Sequence, residues 1–185
     1  MRAFLAFEIP DNIKHYLTAL TKGMGAKITG VRWVGEEAQH LTLKFFGEID
    51  EETTKAIGKN LAHIGTAYGS VETAMGMVDA FPNRKRARVI VVTLEEGVDK
   101  IKTIFDDIEN SLSALGFERE KRGFVPHITL GRRKIPAPLL DRDIPRIEET
   151  KFVLDKLVLF RSTLTPQGAI YNRVWDIPLK AHGRD

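Results

Sequence analysis

The sequence predicts an α+β fold of two similar lobes, each an antiparallel sheet with helices packed on its outer face, flanking a central cleft. Three observations carry that reading. Strand-like and helix-like segments alternate along the chain, and a strand-then-helix unit occurs twice, beginning near residues 2 and 88. A four-residue pattern, His40-Leu41-Thr42-Leu43, also returns as His127-Ile128-Thr129-Leu130. The two histidines lie 87 residues apart and the two unit starts 86, so the pattern keeps its place within the unit. Solenoid arrays repeat at roughly 20–50 residues, so this longer period describes a duplicated lobe. At 185 residues the chain suits one domain in which two interleaved lobes share a core.

Each element follows from a local pattern. "RAFLAFEI" (2–9) is an apolar run bounded by charge and proline, and reads as a strand. "DNIKHYLTALTKG" (11–23) is a helix capped by Asp11, with Ile13, Leu17 and Leu20 along one face. The first motif sits in "QHLTLKFFGEI" (39–49), and "DEETTKAIGKNLAHIG" (50–65) is a second helix with Ile57, Leu61 and Ile64 inward. "VETAMGMVDAF" (71–81) and "RVIVVTL" (88–94) read as strands. The third helix is the most regular: Val98, Ile101, Phe105, Ile108, Leu112 and Leu115 step by three and four, and Gly116 stops it. After the second motif, Pro136, Pro138 and Pro145 exclude one long helix over 134–149. "FVLDKLVLFRSTL" (152–164) reads as one strand run, and the chain closes in a hairpin turning at Thr165-Pro166-Gln167-Gly168.

Composition narrows the class of protein. With 43% hydrophobic and 29% charged residues the chain is globular rather than disordered. The absence of cysteine removes disulfides and thiolate-bound metals, and fits a reducing compartment. No apolar run approaches the roughly 20 residues that span a bilayer. The opening "MRAFLAFEIP" is broken too early by Glu8 and Pro10 for a secretory signal, so the expected location is cytoplasmic. Net charge is only +3, but basic residues cluster in "RKRAR" (84–88), "REKR" (119–122) and "GRRK" (131–134), which favours a polyanionic partner.

The repeated motif carries the chemistry. In a strand, residues i and i+2 share a face, so His40 and Thr42 project together while Leu41 and Leu43 turn into a core. His127 and Thr129 do the same, backed by Ile128 and Leu130. Two lobes related by a pseudo-twofold axis would line one cleft with two imidazoles and two hydroxyls. Near neutral pH one imidazole can accept a proton while the other donates one, which is what in-line displacement at phosphorus requires. The hydroxyls suit the nonbridging oxygens. No H-x-H or H-E-x-x-H stands beside either motif, so no metal or other cofactor is expected. A zinc site built from the two histidines and a remote ligand is the metal-bound alternative. His15, His63 and His182 lack this context and read as surface or helix residues.

These features resemble the 2H phosphoesterase superfamily, and more narrowly the bacterial and archaeal RNA 2′,3′-cyclic phosphodiesterases, also called 2′-5′ RNA ligases. The resemblance runs through "MRAFLAFEIP", "VRWVGEEAQHLTLKFFGEI", "GFVPHITLGR" and "LFRSTLTPQGAIYNRVWDIPL". It implies that His40 is the proton donor and His127 the proton acceptor. It implies that Thr42 and Thr129 contact phosphate, with Arg132, just past the second motif, adding a charge-assisted bond. The implied partner is RNA ending in a 2′,3′-cyclic phosphate, hydrolysed to a 2′-phosphomonoester, with 2′-5′ joining when an RNA 5′-hydroxyl replaces water. The residues alone do not choose between the 2′ and 3′ oxygens as leaving group. No obligate protein partner and no membrane is expected. Two rival readings stand beside this one: action on a small cyclic nucleotide, and RNA binding without catalysis, in which Phe45, Phe46, Phe81 or Phe124 would stack a base.

Overall fold

Ala3 to Phe7 form an unbroken apolar run and every one of them is buried, as in a strand covered on both faces. The computed structural model describes residues 1–148, 150–166 and 168–181, and in it this run is β1 (Arg2–Glu8), the second strand of a four-stranded antiparallel sheet. With β3 (His40–Glu48), β8 (Lys156–Thr165) and β9 (Gly168–Pro178) it makes the order β3-β1-β8-β9. The second sheet is built from β2 (Val31–Trp33), β6 (His127–Ala137), β5 (Ala87–Leu94), β4 (Val71–Phe81) and β7 (Lys151–Leu154), in the order β2-β6-β5-β4-β7. The predicted duplication is visible in the pairing. β1 lies against the first motif strand with Glu8 opposite His40, and β5 lies against the second with Thr93 opposite His127.

The helices are α1 (Asp11–Gly25), α2 (Glu51–Ala67) and α3 (Val98–Ser113). Their predicted inward residues are buried, apart from the half-buried Val98 and the exposed Leu115, and one continuous apolar core joins all three helices to both sheets. Two details differ from expectation. Pro10, in an extended conformation, occupies the cap of α1, and its carbonyl accepts from Ile13 and Lys14. Asp11 is the first helical residue and pairs with Lys14 at 3.1 Å. α3 ends at Ser113, so Leu115 falls outside it and is exposed. The stop is the expected glycine: Gly116 has φ +86 and Phe117 N–H returns to the Leu112 carbonyl.

The run 152–164 is two strands rather than one. It breaks at Asp155, and the chain passes there from the second sheet to the first. Burial changes across the break: Phe152 and Leu154 alternate with the exposed Val153 in the edge strand β7, whereas Leu157, Val158 and Leu159 are all buried in β8, which lies inside the first sheet and is covered on both faces. The lobes are therefore interleaved. The short β2 also crosses between them, since it precedes β3 in sequence yet pairs with β6. Gly131 permits that approach, because a Cβ there would lie 2.5 Å from Val31 Cγ1. The closing hairpin forms between β8 and β9 with Thr165 opposite Gly168; Gln167 of its turn lies outside the described residues.

Of the remaining histidines, His15 is exposed on α1, 3.1 Å from Glu36. His63, on α2, reaches Asp107 of α3 at 3.1 Å, where Tyr68 also donates. His182 lies outside the described residues. No helix among them is long and apolar enough to cross a membrane.

Candidate active site

The two motif strands meet. β3 and β6 come into contact across the gap between the sheets, with Leu41, Leu43, Ile128 and Leu130 buried behind them and His40, Thr42, His127 and Thr129 half-buried on the opposite face. Neither threonine hydroxyl has a partner among the described residues, so both are free to meet a ligand.

A β-bulge follows each motif threonine. On β3, Thr42 faces Ala6 but Lys44 faces Leu5; on β6, Thr129 faces Val91 but Gly131 faces Ile90. Leu43 and Leu130 are the extra residues. One added residue reverses the alternation of the strand beyond it. The third residue after each threonine, which simple alternation sends to the far side, is thereby returned to the cleft. Those residues are Phe45 and Arg132, both of which line a cleft of about 750 Å³ together with Thr42, His127 and Thr129. They occupy equivalent places in the two lobes, and here the pseudosymmetry is broken: one wall offers a guanidinium, the other a phenyl ring 64% exposed.

His40 stands beside the cavity rather than on its wall, packed 4.6 Å from Phe4 and 5.4 Å from Tyr171, with ring centroids as reference. His127 has Phe81 edge-on at 5.0 Å. Its Nδ1 lies 2.7 Å from the Val125 carbonyl, a contact that only an N–H can make. The neutral ring therefore carries its lone pair on Nε2. At His40 the Ala38 backbone, also two residues upstream, favours the charged ring.

Burial pushes the His40 imidazole down to about 4, the Ala38 backbone opposes that, and the charges of Arg132, His127 and Lys14 add to the depression. Burial likewise holds His127 below its ordinary value, with the Val125 carbonyl opposing and Arg132 reinforcing. Both rings are thereby shifted toward the neutral form at pH 7. A base must be neutral and an acid charged, so the competent fraction falls above the higher of the two values and below the lower. The optimum of kcat/KM, which reports the free enzyme, is expected below pH 6.5, with a loss of about tenfold per pH unit above neutrality. The kcat optimum is expected at higher pH, because a bound phosphate anion raises both imidazoles. Steady-state kinetics from pH 4 to 9 measure both.

A buried ion pair fixes the cleft wall. Lys44 lies 2.8 Å from Glu109 of α3, whose side chain is 2% exposed, and donates to the Glu118 carbonyl at 2.6 Å. Glu109 also accepts from Glu120 N–H at 2.6 Å. Together these contacts tie the residues just past the first motif to the loop over 117–122. Lys44→Met leaves a buried carboxylate without its cation and is expected to cost about 3 kcal/mol of stability, read from the midpoint of urea unfolding. Sequence reasoning missed this pair because 65 residues separate its members and neither carries a local signal. It also missed the aromatic packing of His40 by Phe4 and Tyr171.

Two interleaved α+β lobes, with a histidine-x-threonine strand from each facing one cleft, define a 2H phosphoesterase. The chain belongs to the LigT-like phosphoesterase family, whose pattern it matches twice in succession, over residues 7–91 and 92–171. It is 35% identical to the RNA 2′,3′-cyclic phosphodiesterase of Methanocaldococcus jannaschii, over 92% of this chain and 96% of that one. It is 31% identical to the enzyme of the same name from Thermotoga maritima, over 95% and 94%. Among solved structures, TT0787 of Thermus thermophilus superposes with a TM-score of 0.80 at 25% identity, covering 99% of this chain and 100% of that one.

Proposed function

We propose that this protein hydrolyses the 2′,3′-cyclic phosphate at the end of an RNA strand to a 2′-phosphomonoester, using His40 and His127 as acid and base. The observation that carries this reading is the pair of motif strands in contact at one cleft, with His127 and the unpartnered hydroxyls of Thr42 and Thr129 on its wall and His40 packed beside it. The names of the relatives above support the substrate class.

Water attacks phosphorus as the P–O3′ bond breaks. His127 Nε2 takes the water proton, while His40 delivers its own proton to O3′, and solvent restores both rings. The 2′-oxygen stays on phosphorus. Thr42 and Thr129 donate to the nonbridging oxygens, and Arg132 opposes the charge that builds on them. Phe45 offers its exposed face to the terminal base, and stacking of this kind is worth roughly 1–3 kcal/mol. The anionic phosphate of the substrate offsets Arg132 and raises His40 so that it can carry a proton. An RNA 5′-hydroxyl in place of water would form a 2′-5′ linkage by the same steps. Among the described residues no three histidine, aspartate or glutamate side chains gather to hold a metal, and no step is assigned to one.

The test is an oligoribonucleotide ending in a 2′,3′-cyclic phosphate, incubated with the protein in EDTA and followed by identification of the product. A 2′-phosphate is the expected result. A 3′-phosphate reverses the leaving group, and turnover that requires added zinc removes the two-histidine mechanism.

A further inference from the structure

The three basic clusters of the sequence converge on a second pocket. Arg88 comes from the first, Arg122 from the second, and Arg132 and Arg133 from the third, around a cavity of about 410 Å³. Its other lining residues are Phe81, Pro82 and Val89, so every charge on its wall is a guanidinium. Arg122 and Arg132 also line the catalytic cleft, which makes the two spaces adjoin.

Arg133 is the informative member. It is only 9% exposed, donates to the carbonyls of Ala137 and Pro138, and leaves its Nε without a partner. Among the described residues no carboxylate lies within 4 Å of any of the four guanidiniums. The same chain neutralises arginine where its role is structural: Arg84, four residues before Arg88, is held by Asp79 and Asp141. Burying an uncompensated cation beside three like charges is costly, and an anion occupying the pocket relieves that cost.

We propose that this pocket binds an RNA phosphate other than the one that reacts. The inference rests on the phosphodiesterase reading above and narrows it to substrates with more than one phosphate. A nucleoside 2′,3′-cyclic phosphate cannot fill the pocket, whereas an oligonucleotide can. Phe81 touches both the pocket and His127, so the pocket lies on the side of the base. Two strands could bring a phosphate there: the substrate's own, or one arriving with a 5′-hydroxyl.

The experiment compares a nucleoside 2′,3′-cyclic phosphate with a dinucleotide 2′,3′-cyclic phosphate in the wild type and in Arg88→Glu, an exposed position outside the catalytic cleft. The wild type is expected to prefer the dinucleotide by about tenfold or more in kcat/KM, with a log–log salt slope steeper by about 0.7 per added phosphate contact. Arg88→Glu should lose the preference and the added slope while keeping its activity on the mononucleoside. If the dinucleotide gains nothing, a 5′-hydroxyl oligonucleotide added to the mononucleoside reaction identifies the second source: it should inhibit or be joined in the wild type and not in Arg88→Glu. Equal activity on both substrates with no effect of the added strand overturns the proposal, as does an equal loss on both in Arg88→Glu. Failure of the phosphodiesterase reading looks different, with neither substrate turned over. In that case, anisotropy of a fluorescent 3′-hydroxyl oligoribonucleotide decides the pocket: binding weakened by Arg88→Glu upholds it, and unchanged binding rejects it.

Discussion

Replacing His127 with alanine is expected to lower kcat/KM on an RNA 2′,3′-cyclic phosphate by about 10²–10⁴, the usual contribution of a positioned acid or base. The Val125 carbonyl fixes the tautomer so that Nε2 holds the lone pair, and no other neutral nitrogen base lines the cleft. Little of the loss should come from unfolding, because the ring is partly exposed and its other contact is the edge of Phe81. A thermal midpoint within a few degrees of wild type would confirm that. The acid limb of the kcat/KM profile should disappear with the base. His40→Ala is expected to lose a similar amount and to remove the alkaline limb. A loss of less than tenfold in either variant would contradict the acid–base assignment.

Arg132→Ala is expected to cost about 10²–10³ in kcat, comparable to deleting one donor from an oxyanion site. The residue is not close to the motif by strand parity; the bulge at Leu130 returns it to the cleft. Its charge depresses both imidazoles, so the variant carries a second signature. Removing the cation raises both values, and the kcat/KM optimum should move toward neutral pH even as the rate falls. Arg132→Lys keeps a charge but loses the planar fork that grips two oxygens, and should recover the pH profile more fully than the rate. A variant with an unshifted optimum would mean that Arg132 does not face the histidines.

Much of this arrangement was legible in the sequence because it is written locally. Alternation in "HLTL" and "HITL" decides which side chains share a face, and the stepping of Ile101, Phe105, Ile108 and Leu112 defines α3. Duplication then tells which strands are equivalent, and the pairings Glu8–His40 and Thr93–His127 bear that out. The features that escaped depend on partners distant in the chain. The break at Asp155 follows from which sheet each half joins, not from anything in the residue itself. The bulges at Leu43 and Leu130 are visible only against the registers of β1 and β5. Arg88, Arg122 and Arg133 were legible as members of basic clusters, but not as walls of one pocket, since nothing in three separated runs says that they converge.

The proton roles are tested most directly by changing the leaving atom. A substrate whose 3′-oxygen is replaced by sulfur releases a thiolate, which departs without being protonated, so a general acid is no longer needed. On that substrate His40→Ala should approach wild-type activity, while His127→Ala should stay as impaired as on the oxygen substrate. Rescue of His127→Ala instead would reverse the two roles. Failure to rescue either variant would contradict proton delivery to the leaving group as the task of this pair.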